Sequence, residues 1–224
     1  MSYRIIPLVN GQIYHLFNRS VARETIFLKS TDYLRFLEVV DFYRFVEIGM
    51  RFSHFKRLET NRRNNFINDL HKSDKKSVDI YTFTIMPNHF HFLVKQLSED
   101  GIKKFMSQVQ NSYAKYLNTK YQRTGSVFQE MFKAIRIETE EQFLHLSRYI
   151  HLNPLTSYIL KNINDLEKYP WSSYMDYMEK RNLSLVSRNI INSYFSNVDK
   201  LKEFTVNQID YQRKLELIKH LILD

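Results

Sequence analysis

The chain is 224 residues long, 43% hydrophobic and free of cysteine. This allows one sizeable core with an appendage, and it excludes disulfides, thiolate chemistry and zinc sites built on Cys. Its 33 Lys and Arg against 24 Asp and Glu leave a net charge of +9, a surplus that favours polyanionic partners such as nucleic acid or an acidic membrane surface.

In chain order, Gln12 to Asn18 (QIYHLFN) follows a Gly turn and is rich in aromatic and branched residues, which predicts a strand. Ser30 or Thr31 can cap a helix running to about Met50, with Tyr33, Phe36, Leu37, Val40, Phe42 and Phe45 on one stripe. From Arg51 to Lys76 eight Lys and Arg meet only three Asp and Glu. This basic insertion, about 51–76, reads as an elaborated helix end and loop: solvated surface, or a patch that tracks a nucleic-acid strand. Val78 to Met86 (VDIYTFTIM) and His89 to Gln96 (HFHFLVKQ) predict two strands joined at the turn dipeptide Pro87–Asn88, a hairpin. Asp100 to about Lys120 is helical in pattern, Tyr121 to Ser126 is a basic turn, and Phe132 to Glu138 alternates as a fourth strand. Thr139 opens a helix from Glu140 to about Leu152, which should stop before Asn153–Pro154. Beyond Pro170 the chain is polar and helical, ending in an amphipathic run with Ile209, Leu215, Leu217, Ile218, Leu221 and Ile222. The order is an α+β one, a ferredoxin-like four-stranded antiparallel sheet with helices on one face, plus a C-terminal helical extension. We divide it into a domain at 1–178 and an extension at 179–224. Four Gly and four Pro are too few for a disordered chain. No stretch approaches the roughly 18 apolar residues of a membrane span, and MSYRIIPLVNGQIYHLF lacks the pattern of an export signal. The expectation is a soluble cytoplasmic protein without a membrane partner.

Two motifs carry chemistry. Side chains alternate along a strand, so His89 and His91 point one way while Phe90 and Phe92 point into the core. Two neutral imidazoles on one rigid element can hold a divalent ion. Tyr149 and Asn153, four apart in SRYIHLNPL, stack on one helix face. Each motif taken singly has a structural explanation: polar histidines on an exposed strand, an amphipathic tyrosine, an asparagine before a helix stop. Converged, they make a phosphoryl-transfer site. A phenol with its pKa of about 10 is a poor nucleophile, and Mg²⁺ or Mn²⁺ on the scissile phosphate would make attack by Tyr149 feasible. No Gly-x-Ser-x-Gly elbow, P-loop or dinucleotide Gly motif is present.

With these residues in view, the chain resembles the HUH single-tyrosine transposases, most closely the REP-associated tyrosine transposases. The resemblance runs through GQIYHLFNRSVARETIF, MPNHFHFLV, YQRTGSVFQEMFKAIRI, RYIHLNPL and YPWSSY. It implies that His89 and His91 bind a divalent metal, Mg²⁺ or Mn²⁺, with Asn153 as third ligand. It also implies that Tyr149 attacks single-stranded DNA carrying a hairpin, through a 5′-phosphotyrosine link. Tyr113, Tyr116 and Tyr121 compete for the nucleophile's place, but Arg-Tyr-Ile-x-x-Asn-Pro fits the family block around Tyr149. The basic insertion is longer than in the family, and the Trp expected beside Gln129 is missing. Arg19, Arg123, Lys133 and Arg136 are expected to contact DNA phosphates. The length favours a monomer over a homodimer.

Two other readings stand beside this one. A domesticated relative would bind hairpins without cutting, although every residue the chemistry needs is present. An RNA-binding ferredoxin-like protein would use sheet-face aromatics, but no run resembling the Lys/Arg-Gly-Phe-Gly-Phe type occurs.

Overall fold

In the computed structural model, residues 7–207 are described. The terminal amphipathic residues Ile209 to Ile222 therefore lie outside the described residues. Four strands, β1 (Ile13–Arg19), β2 (Val78–Met86), β3 (His89–Gln96) and β4 (Lys133–Ile137), form one antiparallel sheet in the order β2-β3-β1-β4. All four stand where the alternating sequence places them.

Residues opposite one another in an antiparallel pair share a face. One face carries Tyr14, Leu16, Phe83, Ile85, Phe90, Phe92 and Val94, all buried. Helices α1 (Ser30–Tyr43) and α4 (Gly101–Lys120) pack against it, with the Phe36 ring 5.1 Å from both Phe90 and Tyr113. Asp32 ties the two helices together. Its buried carboxylate accepts from the Leu28 and Lys29 amides, from Tyr116 and Tyr121 Oη, and from Lys120 Nζ at 2.5 Å.

Helix α1 ends at Tyr43, seven residues short of the predicted Met50. Phe45 continues the apolar stripe in sequence but not in space. The main chain turns at Arg44, whose carbonyl accepts from the Ser77 amide, and Phe45 bridges to Lys76 instead. Glu47 and Gly49 then take positive φ, which no helix tolerates. The basic insertion is not a loop. It forms α2 (Phe52–Phe55) and α3 (Thr60–Ser73), seated on α1 through tilted ring contacts, Phe42 to Phe55 at 5.0 Å and Phe55 to Phe66 at 5.7 Å. With only Phe66, Ile67 and Leu70 as apolar residues, α3 owes its helix to this packing rather than to a strong periodic signal.

Helix α5 (Glu140–Thr156) begins as predicted, with Thr139 Oγ1 accepting from the Gln142 amide at 3.1 Å. It lies across the other face of the sheet, over β2 and β3. It does not stop before Asn153–Pro154 but runs on to Thr156. Proline removes one backbone hydrogen bond, while Leu152 and Leu155 are fully buried, so packing outweighs that loss.

The segment after α5 covers the outer edge of β2. Ile85 N donates to Trp171 O, Ser173 N to Phe83 O and Ser187 N to Ile80 O, while Tyr169 Oη and Tyr177 Oη donate to the carbonyls of Ile85 and Tyr81. Short helices α6 (Tyr174–Tyr177) and α7 (Asn189–Asn192) and then α8 (Val198–Val206) follow. A covered edge cannot pair with a further strand. No helix among the described residues is long and apolar enough to cross a membrane.

His151 of α5 faces the segment that covers β2 and is fully buried, with Nε2 2.9 Å from Ser173 Oγ. Burial pushes its pKa down from 6.5 to about 3. The native protein keeps it neutral while the unfolded chain protonates near 6.5, so stability should fall as pH drops through that window. One such group contributes about 1.4 kcal/mol per pH unit. Urea unfolding of His151→Gln, which keeps a polar partner for Ser173 but does not titrate, should show a correspondingly shallower loss between pH 6 and pH 4. An unchanged slope would contradict a neutral native His151.

Candidate active site

The face beneath α5 holds the chemistry. The register sets Arg19 opposite His89 and Phe17 opposite His91, with His15 one step further along β1 on the same side. Lys133 of β4 lies opposite Phe17 and shares that face. The alternation predicted for His89-Phe90-His91-Phe92 holds. Both phenyl rings are buried against α1 and α4, and the two imidazoles stand edge to face on the other side, centroids 5.1 Å apart.

Helix α5 brings Tyr149 over this pair. Its ring centroid is 5.9 Å from His91 and 6.3 Å from His15, edge-on to both. Asn153 is one helical turn further along, buried, and near enough to His89 to influence its titration. The four residues read from the sequence, His89, His91, Tyr149 and Asn153, thus lie together although about 60 residues separate the two motifs.

The electrostatics favour a neutral His89. Burial is the main reason that the pKa of His89 falls to about 4. The positive charge of Arg19 adds to the fall, and the nearby Asn153 side chain, which favours the protonated ring, opposes it. His89 Nδ1 sits 2.6 Å from Asn88 Oδ1. An amide oxygen only accepts, so Nδ1 carries the proton and Nε2 keeps its lone pair. The Nδ2 of Asn153 is buried without a hydrogen-bond partner among the described residues. Two imidazole nitrogens and one amide oxygen suit a divalent cation that also takes water and substrate oxygens. Among the described residues, no three His, Cys, Asp or Glu come close enough to hold a metal by themselves. A cation here would rest on the Asn153 amide as well as on the histidines.

The rival tyrosines are all engaged on the opposite side of the sheet. Tyr113 Oη donates to Ile26 O, and Tyr116 and Tyr121 both donate to Asp32. The four basic residues divide. Arg19 and Lys133 share the histidines' face, and Lys133 is exposed. Arg123 forms an ion pair with Glu24 in the turn that bonds back to the end of β1. Arg136 is not brought to the site. It pairs with Tyr14, on the α1 and α4 face, and its guanidinium donates to Gln12 Oε1 at 2.9 Å. The alternation of β4 separates it from Lys133 three residues earlier.

His15 was not among the residues singled out in the sequence. It is buried, 7% exposed, with Nε2 2.9 Å from His91 Nδ1. The signal is present in YHLFNR, where His15, Phe17 and Arg19 alternate, but only strand pairing shows that this face meets His91.

The sequence profile described as "Transposase IS200 like" matches residues 46–153, a stretch that contains His89, His91, Tyr149 and Asn153. Over that stretch the chain is similar to the IS200-like transposases. The match does not include β1, and with it Arg19 and His15. No curated protein sequence matches the chain. Two solved structures align with this chain. One is a REP-associated tyrosine transposase bound to a REP hairpin, with 14% identity, a TM-score of 0.49, and coverage of 84% of this chain and 98% of that one. The other is a candidate transposase from Deinococcus radiodurans, with 12% identity, a TM-score of 0.36, and coverage of 67% and 95%.

A direct check of the site's electrostatics is an NMR pH titration of the histidine ring protons. The His89 resonances should stay constant from about pH 8 to pH 5 and move only towards pH 4. A midpoint near 6.5 would contradict a desolvated His89.

Proposed function

We propose that this protein is a metal-dependent transposase that cuts and rejoins single-stranded DNA carrying a hairpin, with Tyr149 as the nucleophile. The observation that carries the reading is the placement of the Tyr149 ring 5.9 Å from that of His91, with Asn153 of the same helix at His89. Those residues lie within the stretch that matches the IS200-like transposases.

His89, His91 and Asn153 would hold Mg²⁺ or Mn²⁺. The bound ion would polarise a non-bridging oxygen of the scissile phosphate and offset charge gathering there. The side chains do the rest. The buried stripe of α5 fixes the Tyr149 helix on the sheet, so the phenol needs little reorganisation to reach a strand laid over the histidines. Tyr149 Oη bonds to phosphorus as the P–O3′ bond breaks. The phenol proton passes to water and the departing 3′ oxygen takes one up, which leaves a 5′-phosphotyrosine and a free 3′ hydroxyl. The ester conserves the energy of the broken bond, so a second 3′ hydroxyl can attack it and be joined without ATP. Arg19 and Lys133, on the same face, would pair with backbone phosphates on either side of the break.

Two outcomes are expected. Tyr149→Phe should abolish the covalent protein–DNA adduct seen on denaturing gels with Mn²⁺ and a hairpin-bearing single strand, with binding within about three-fold of wild type. An adduct that persists would remove Tyr149 from its role. Lys133→Glu should weaken single-strand binding and lower the salt slope of log Kd by about one, as for a lost phosphate contact. Arg136→Glu, on the opposite face, should leave the slope unchanged. Equal effects of the two would contradict the assignment of the DNA path to the histidines' face.

A further inference from the structure

We propose that His15 is a positioning residue for the cation site: it accepts a hydrogen bond from His91 Nδ1 and so holds His91 in the tautomer whose Nε2 lone pair is free to bind metal. The inference rests on the reading of His89, His91 and Asn153 as the metal's ligands, and it adds a residue from outside the stretch that matches the transposase profile.

The geometry begins with strand pairing. Phe17 is the direct partner of His91 across β1 and β3, and His15 is its diagonal neighbour on the same face, close enough for a ring to reach. The rings lie nearly parallel, 19° apart with centroids at 5.1 Å, and the Nε2-to-Nδ1 distance is 2.9 Å. Both residues are only 7% exposed.

A hydrogen bond between two neutral imidazoles has two forms. When His15 donates, His91 accepts at Nδ1, its own proton sits on Nε2, and no lone pair is left for a metal. When His91 donates, its Nε2 carries the lone pair and the proton of His15 sits on Nδ1. A ligating histidine characteristically donates its second N–H to a neighbouring acceptor, which fixes the tautomer and the ring plane. His15 stands where that acceptor is needed, as Asn88 Oδ1 does for His89 at 2.6 Å. Each candidate ligand ring thus has a neutral acceptor behind its Nδ1. Neither acceptor is a carboxylate, so neither subtracts from the charge of a bound cation. Without His15, the Nδ1–H of metal-bound His91 would lose the hydrogen bond to His15 Nε2 in a site with little access to water.

The test is Mn²⁺ binding to the full chain, followed by the EPR signal of the free ion. His15→Leu should weaken binding by about ten-fold or more, the usual consequence of removing such an outer partner. His15→Gln, whose Oε1 can accept where Nε2 does, should bind within about three-fold of wild type. Binding of His15→Leu as tight as wild type would overturn the proposal, and so would equal losses in the Leu and Gln variants, because ring packing and not the acceptor would then matter. Should His15→Leu fail to fold, ¹⁵N NMR of the wild-type protein with saturating Mg²⁺ decides: His91 protonated at Nδ1 and bare at Nε2 supports the assignment, and the reverse overturns it. Wild-type protein that binds no Mn²⁺ would instead remove the metal reading underneath, while the ring shifts without metal would still show which histidine donates.

Discussion

The packing of α5 across β2 and β3 is the constraint on which the site depends. Tyr149 and the histidines belong to separate elements, and nothing local in the chain brings them together. Phe143, Ile150, Leu152 and Leu155 are buried along that helix, and His151 is bonded to Ser173, which is itself bonded to the edge of β2. Arg148 fixes another side, with its guanidinium 4.4 Å from the Phe204 ring of α8 and donating to the Phe204 carbonyl. With three sides of the helix spoken for, the fourth is aimed at the sheet's histidines. Tyr149 and Asn153 occupy it because they are one turn apart.

The two faces of the sheet do different things. The α1 and α4 side is an aromatic core in which tyrosine hydroxyls are consumed by carbonyls and by Asp32. The α5 side is where imidazoles, an amide and a phenol meet. Strand alternation produces this separation, since a residue moved by one position along β3 would exchange His91 for Phe90 or Phe92. It also explains how Tyr149, and not Tyr113, Tyr116 or Tyr121, comes to the candidate cation site.

Much of this was legible in the sequence, where the signal is local. The strands showed period two, His89 and His91 fell on one face, and Thr139 was read as the cap of α5. The misses have physical causes. Phe45 fits a helical stripe, but the main chain leaves the helix at Arg44 to bond with Ser77. The few apolar residues of α3 hide a helix that neighbouring rings stabilise. Pro154 reads as a stop, yet the burial of Leu152 and Leu155 carries the helix through it. His15 and Arg136 are register problems. Which strand lies beside β1, and in which phase, is a long-range fact that no window of sequence contains.

The central claim is that one cation sits between the sheet and α5, within reach of the Tyr149 phenol. A crystal of the full chain soaked in Mn²⁺ tests it by anomalous scattering. The account predicts one strong peak bounded by His89 Nε2, His91 Nε2 and the Asn153 side-chain oxygen, roughly 2.0–2.3 Å from each donor. A peak elsewhere on the chain, with none between the two histidines, would contradict it.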